Sequence, residues 1–130
     1  MIKFKERLFT YLELTKPRIG LLVITTAYLG YYLGLRSENS YMLESFEWIT
    51  LIHLLIGMFL SCSGACALNQ IFERDIDLKM KRTNKRPLPL KKITTRNAYI
   101  FATMLFVFSS LYLFFFVSIG TMLLSCLTYI

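Results

Sequence analysis

Charge is missing from three long stretches of this chain, and that absence excludes an ordinary soluble domain. No Asp, Glu, Lys or Arg occurs from Ile19 to Leu35, over the 24 residues from Ile49 to Phe72, or over the 34 residues from Asn97 to Ile130. With 55% hydrophobic residues and its charges confined to blocks, a chain of 130 residues cannot wrap an apolar core in a polar surface. Other scarcities narrow the chemistry. There is one histidine, His53, and no Ser-His-Asp arrangement, glycine-rich phosphate loop or CxxC pair, so nucleophilic triads and Rossmann-type cofactor binding are excluded. Three cysteines make no disulfide framework, and Cys62 with Cys66 would need further ligands to hold a soft metal. The basic stretch from Glu73 to Arg96 contains no aromatic residue on which a base could stack, which argues against nucleic acid as a partner.

What is present points to an all-α integral membrane protein, a multi-helix transmembrane bundle of which about three and a half helices are here. A hydrocarbon core needs roughly 20 apolar residues per helix. The uncharged runs predict spans over 19–35, 48–72 and 97–117, the first just long enough if Lys16 and Arg18 snorkel. The last run, at about 50 Å as a helix, exceeds the bilayer core of about 30 Å and has to fold back. Ser118 to Thr121 supplies small residues for that turn, leaving 122–130 as the start of a fourth helix. Nine residues do not cross a membrane, so the reading is of the N-terminal portion of a single, longer transmembrane domain.

Bases set the orientation. Lys3, Lys5, Arg7, Lys16 and Arg18 precede the first span, the 36–47 loop holds only Arg36, and the 73–96 segment holds nine. The positive-inside rule then puts the N-terminus and the 73–96 loop in the cytoplasm and the 36–47 loop outside. The net charge of +7 is explained by two basic segments facing anionic lipid and substrate. Within 1–18, Phe4, Leu8, Phe9, Tyr11, Leu12 and Leu14 interleave with Lys5, Glu6, Arg7 and Glu13, the pattern of an amphipathic interfacial helix, and Pro17 allows a change of direction at the bilayer.

The chemistry-bearing pattern lies where the second span meets its charged loop. Asn69, Glu73 and Asp77 follow one another at four-residue spacing, which puts two carboxylates and an amide on one helical face. Such oxygen ligands suit a hard cation like Mg²⁺, which takes one or two carboxylates from protein and the rest from water and phosphate. Arg74, Lys79, Lys81, Arg82, Lys85 and Arg86 surround them, a mixture suited to a metal–diphosphate substrate. A solvated helix end could carry mixed charge as well, but Asn69 lies inside the uncharged stretch, where an amide without a partner is costly. Asp75 falls about 200° round the helix from Glu73 and reads as an acid that is merely solvated or paired with a nearby Lys. Seven small residues, Ser61 to Ala67, would let neighbouring backbones approach and make this helix central. His53 lies about 24 Å up the helix from Asn69 and reads as a hydrogen-bonded interfacial residue.

Two segments carry a family resemblance. Ala67 to Pro89, ALNQIFERDIDLKMKRTNKRPLP, resembles the first aspartate-rich motif of the UbiA superfamily of intramembrane prenyltransferases, and more narrowly of its protohaem-farnesylating branch. Leu12 to Gly34 resembles the opening of the same enzymes. The resemblance implies that Asn69, Glu73 and Asp77 hold Mg²⁺ gripping a prenyl diphosphate, with Glu73 where the wider superfamily has Asp. It implies that Arg74, Arg82 and Arg86, and less directly Lys16 and Arg18, neutralise diphosphate oxygens. It further implies farnesyl diphosphate as donor, protohaem IX (haem b) as acceptor, haem O as product, a bacterial inner membrane, and haem A synthase or oxidase assembly proteins as partners. Tyr28, Tyr31 and Tyr32 could line the reaction chamber or form an interfacial belt. The second acidic motif of the superfamily has no counterpart after Asp77, so the chain alone is expected to be an incomplete enzyme. Other UbiA acceptors, a quinone precursor or chlorophyllide, and a non-catalytic protein whose basic loop binds lipid, are the alternatives.

Overall fold

The computed structural model describes residues 2–37 and 45–129. These residues form helices α1 (Ile2–Leu14), α2 (Pro17–Ser37), α3 (Ser45–Phe72), α4 (Arg74–Asp77), α5 (Thr95–Phe116) and α6 (Ile119–Leu127), with no strand among them. The protein is therefore an all-α membrane protein with three helices long and apolar enough to cross a bilayer: 17–36, 46–72 and 95–116.

Each boundary has a local cause. The N-terminal segment changes direction at Pro17 as expected: α1 stops at Leu14, Lys16 takes a left-handed φ of 46°, and Pro17 opens α2, the first helical position where its missing N–H and fixed φ cost nothing. The second span starts at Ser45 instead of 48, and residues 38–44 of the expected 36–47 loop lie outside the described residues. Helix α5 begins two residues before the expected 97, with the Thr94 side chain accepting a hydrogen bond from the Asn97 N–H at 3.4 Å. The fold-back is tighter than the 118–121 turn expected from its small residues. Val117 and Ser118 make the whole corner, the Ser118 hydroxyl caps the Thr121 N–H at 3.2 Å, and Gly120 is already helical. Ile130, at the end of the expected fourth-helix segment, lies outside the described residues.

Helix α3 is the centre, packed between α2 and α5, with α6 returning alongside α5. Glycines make the close approaches possible. A Cβ on Gly20 would overlap the Phe59 ring, one on Gly57 would overlap Leu113, and one on Gly64 would overlap the Tyr129 hydroxyl and crowd Leu105. Gly30 and Gly34, by contrast, face open space within the chain. The Tyr129 hydroxyl donates to the Ser61 carbonyl at 2.7 Å and its ring packs on Phe106, which pins the end of α6 in the small-residue stretch of α3.

The hydrophobic core lies at the end of the spans that carries the charged loop. Leu14 of α1, Ala67 of α3, Leu88 and Ile93 of the 78–94 connection, and Ala98 and Ala102 of α5 form one buried cluster. Pro87, Leu88 and Pro89 are all buried, so the basic connection is folded against the bundle. Along α2, Leu21, Leu22, Leu29 and Leu33 remain exposed, a surface stable against acyl chains or further helices but not against water.

Candidate functional site

The helical ladder survives the break between α3 and α4. The Glu73 N–H reaches the Asn69 carbonyl at 2.9 Å and the Asp77 N–H reaches the Glu73 carbonyl at 2.8 Å. Asn69, Glu73 and Asp77 thus keep their four-residue stacking past the end of the span. Their environments differ: Asn69 is exposed, Glu73 half-buried, and Asp77 only 3% exposed.

Arg86 joins the two acids. Its Nη1 donates to both Asp77 oxygens, Oδ2 at 2.6 Å and Oδ1 at 2.8 Å, and lies 3.7 Å from Glu73 Oε2. The loop is shaped to deliver it. The Thr83 hydroxyl donates to the Asp77 carbonyl at 3.2 Å, the Arg86 N–H to the Thr83 carbonyl at 3.0 Å, and Pro87 and Leu88 anchor the next residues in the core. Removing the partner of a buried carboxylate costs roughly 3–5 kcal/mol in deep sites, and less here because the guanidinium keeps some water.

The other expected diphosphate contacts are dispersed. Arg74 does not join the Glu73–Asp77 pair: its Nε and Nη2 donate to Asp75 Oδ1 at 3.1 and 3.0 Å and its Nη1 to the Thr95 hydroxyl at 2.8 Å. Asp75 lies about 200° round the helix from Glu73, and pairing with Asp75 and Thr95 draws the Arg74 guanidinium off the 69–73–77 face. Asp75, its side chain 75% exposed, is the paired surface acid expected of it, with Arg74 and not a lysine as its partner. Arg82 and Arg18 are exposed, and Lys16 is half-buried at the α1–α2 corner.

Gln70 is a further buried amide, outside the 69–73–77 spacing. It is 2% exposed and its Nε2 donates to the Leu14 carbonyl at 3.0 Å and the Glu13 carbonyl at 3.4 Å, tying the end of α1 to α3 beside Asn69. Its signal was the one used for Asn69, an amide inside an uncharged run. At the far end of α3, His53 Nδ1 and the Tyr112 hydroxyl are 2.6 Å apart and the imidazole stacks on Phe116 at 4.6 Å, the hydrogen-bonded setting expected for that histidine.

These donors fit a hard divalent cation. Two carboxylates converge on a single point that already carries positive charge, while Asn69 stands one helical turn before Glu73 with its side chain exposed. Among the described residues no group of three or more His, Cys, Asp or Glu comes together, so this chain offers the one or two carboxylates that a hydrated, phosphate-bound Mg²⁺ accepts and not an all-protein cage.

Several known proteins are similar to this chain. A model of the UbiA prenyltransferase family matches residues 20–130. A protoheme IX farnesyltransferase of Solibacter usitatus is 41% identical over 97 residues, covering 73% of this chain and 33% of that protein. Its counterparts in Alcanivorax borkumensis and Mycobacterium sp. (strain KMS) are 37% identical over 108 residues and 38% over 111, covering 83% and 85% of this chain and 34% of each relative. The chain spans about a third of the length of the curated relatives it matches. No solved structure matches it.

Proposed function

The chain belongs to the UbiA prenyltransferase family, and on that premise we propose that it is the donor-binding portion of an enzyme that transfers the farnesyl group of farnesyl diphosphate to a vinyl group of protohaem IX. The observation that carries the reading is the convergence of Glu73 and Asp77 on one cationic point at the mouth of a membrane-spanning helix. The relatives are named for the transfer of a farnesyl group to protohaem IX, which supports this choice of donor and acceptor.

In this reading Asn69, Glu73 and Asp77 hold the divalent cation, Mg²⁺, which when bound offsets charge on the leaving diphosphate. Arg86 donates to diphosphate oxygens, for which a guanidinium is suited by its planar fork. Arg82, Lys16 and Arg18 raise the local positive potential from the rim, and Arg74 acts from its separate pair with Asp75. The C1–O bond of the prenyl donor breaks with its electron pair leaving on diphosphate. The vinyl carbon bonds to the allylic cation, and water adds to the resulting side-chain cation and loses a proton, giving the hydroxyethylfarnesyl group of haem O. The apolar walls of the spans keep water from the allylic cation before transfer.

We place the N-terminus and the 73–96 loop on the cytoplasmic face of a bacterial inner membrane, because the bases concentrate there. Haem A synthase and oxidase assembly proteins are the partners this product would need. The test is haem extraction from cells expressing the full-length protein with and without Asp77→Asn. Haem O should accumulate only with the parent; a prenylated quinone precursor or chlorophyllide in its place would reassign the acceptor, and no prenylated product at all would overturn the enzyme reading.

A further inference from the structure

We propose that Arg86 is a placeholder cation, occupying the convergence point of Glu73 and Asp77 until a diphosphate draws its guanidinium away, so that the site admits a divalent cation together with diphosphate and not before it. This rests on the reading of Glu73 and Asp77 as metal ligands. One nitrogen, Nη1, makes every contact: 2.6 and 2.8 Å to the Asp77 oxygens and 3.7 Å to Glu73 Oε2. Nη1 therefore stands where a second cation would have to stand, and two positive charges at that separation repel strongly in a half-buried setting.

The backbone under Arg86 is anchored, while among the described residues its guanidinium hydrogen-bonds Asp77 alone. Thr83 is tied to Asp77, Arg86 is tied to Thr83, and Pro87 and Leu88 are buried, so the loop does not have to move. The guanidinium itself lies at the rim, where an arriving diphosphate offers more negative charge and a better match to its fork than one carboxylate does. Arg86 leaving Asp77 then uncovers the two carboxylates at the moment the anion arrives. The coupling is reciprocal: whatever removes Arg86 strengthens cation binding, and whatever holds it weakens cation binding.

The experiment is Mn²⁺ titration of the full-length protein in lipid nanodiscs, read by electron paramagnetic resonance, for the parent, Arg86→Gln, Arg86→Lys and Asp77→Asn. The parent should bind Mn²⁺ weakly at this site when no diphosphate is present. Arg86→Gln should bind it more tightly by about tenfold or more, Arg86→Lys should gain less, and combining Arg86→Gln with Asp77→Asn should abolish the gain. A parent that already binds Mn²⁺ at an Asp77-dependent site as tightly as Arg86→Gln does would overturn the placeholder role while leaving the metal site standing, and that comparison survives poor folding of the Lys variant. If Arg86→Gln itself misfolds, tight Asp77-dependent Mn²⁺ binding by the parent without diphosphate overturns the proposal alone. No Asp77-dependent Mn²⁺ signal in the parent, even with farnesyl diphosphate present, would overturn the metal reading and the placeholder with it.

Discussion

Gln70 donates its side-chain amide hydrogen to the Leu14 carbonyl at 3.0 Å, so the last turn of α1 is fastened to α3 one residue beyond Asn69. Because Leu14 itself is fully buried in the core with Ala67 and Leu88, the interfacial helix, the central span and the basic loop meet at one place. Gln70→Leu should leave the Leu14 and Glu13 carbonyls without this donor, at a cost of about 1–3 kcal/mol. A nitroxide placed at Thr10 should then become more mobile, while Gln70→Glu, which offers the carbonyls no N–H, should behave like the Leu variant. Unchanged mobility in both would mean that packing alone holds α1.

Asp77 and Asp75 are two residues apart and should behave as different kinds of residue. In the full-length protein Asp77→Asn keeps the shape but removes the charge that holds Arg86 and, in the proposed reading, the cation, so haem O formation should fall by roughly a hundredfold or more with insertion and abundance near normal. Asp75→Asn should be mild, since its surface pair with Arg74 contributes little. Glu73→Asp should retain measurable activity. Equal loss in the two Asp variants, read from extracted haems, would remove the case for a one-faced site.

Gly57 and Gly30 separate packing from propensity. Alanine at Gly57 would drive its Cβ into Leu113, which is fully buried and has little room to yield, so the thermal midpoint in detergent should drop by several degrees, corresponding to about 1–3 kcal/mol. Gly30→Ala meets nothing within 4 Å in this chain and should hold the midpoint or raise it slightly, since Ala is the better helix former. A neutral Gly57→Ala would indicate that α3 and α5 are not in the close contact described.

Orientation is open to labelling. After replacement of Cys62, Cys66 and Cys126, a cysteine at Asn84 should be protected from a membrane-impermeant thiol reagent added outside the cell, and one at Asn39, in the segment outside the described residues, should react. The reverse pattern would put the basic loop on the outer face and the donor site away from a cytosolic prenyl diphosphate.

Much of this protein was determined by local sequence. Three uncharged runs could only be helices, because a backbone without water must satisfy its own hydrogen bonds, and the four-residue spacing of Asn69, Glu73 and Asp77 put them on one face whatever they packed against. The small-residue stretch likewise foretold a central α3. Tertiary structure decided the rest. Nothing in the run of bases from Arg74 to Arg86 says which guanidinium meets the carboxylates; that depends on how the 78–94 connection folds, and Pro87, Leu88 and Ile93 fold it so that Arg86 turns inward while Arg74 pairs with Asp75 and Thr95. Pro17 and the small residues from Ser118 announced both changes of direction, but the residues at which the helices stop were left to tertiary structure, because a turn's length is chosen by the elements it must bring together and not by its own residues alone.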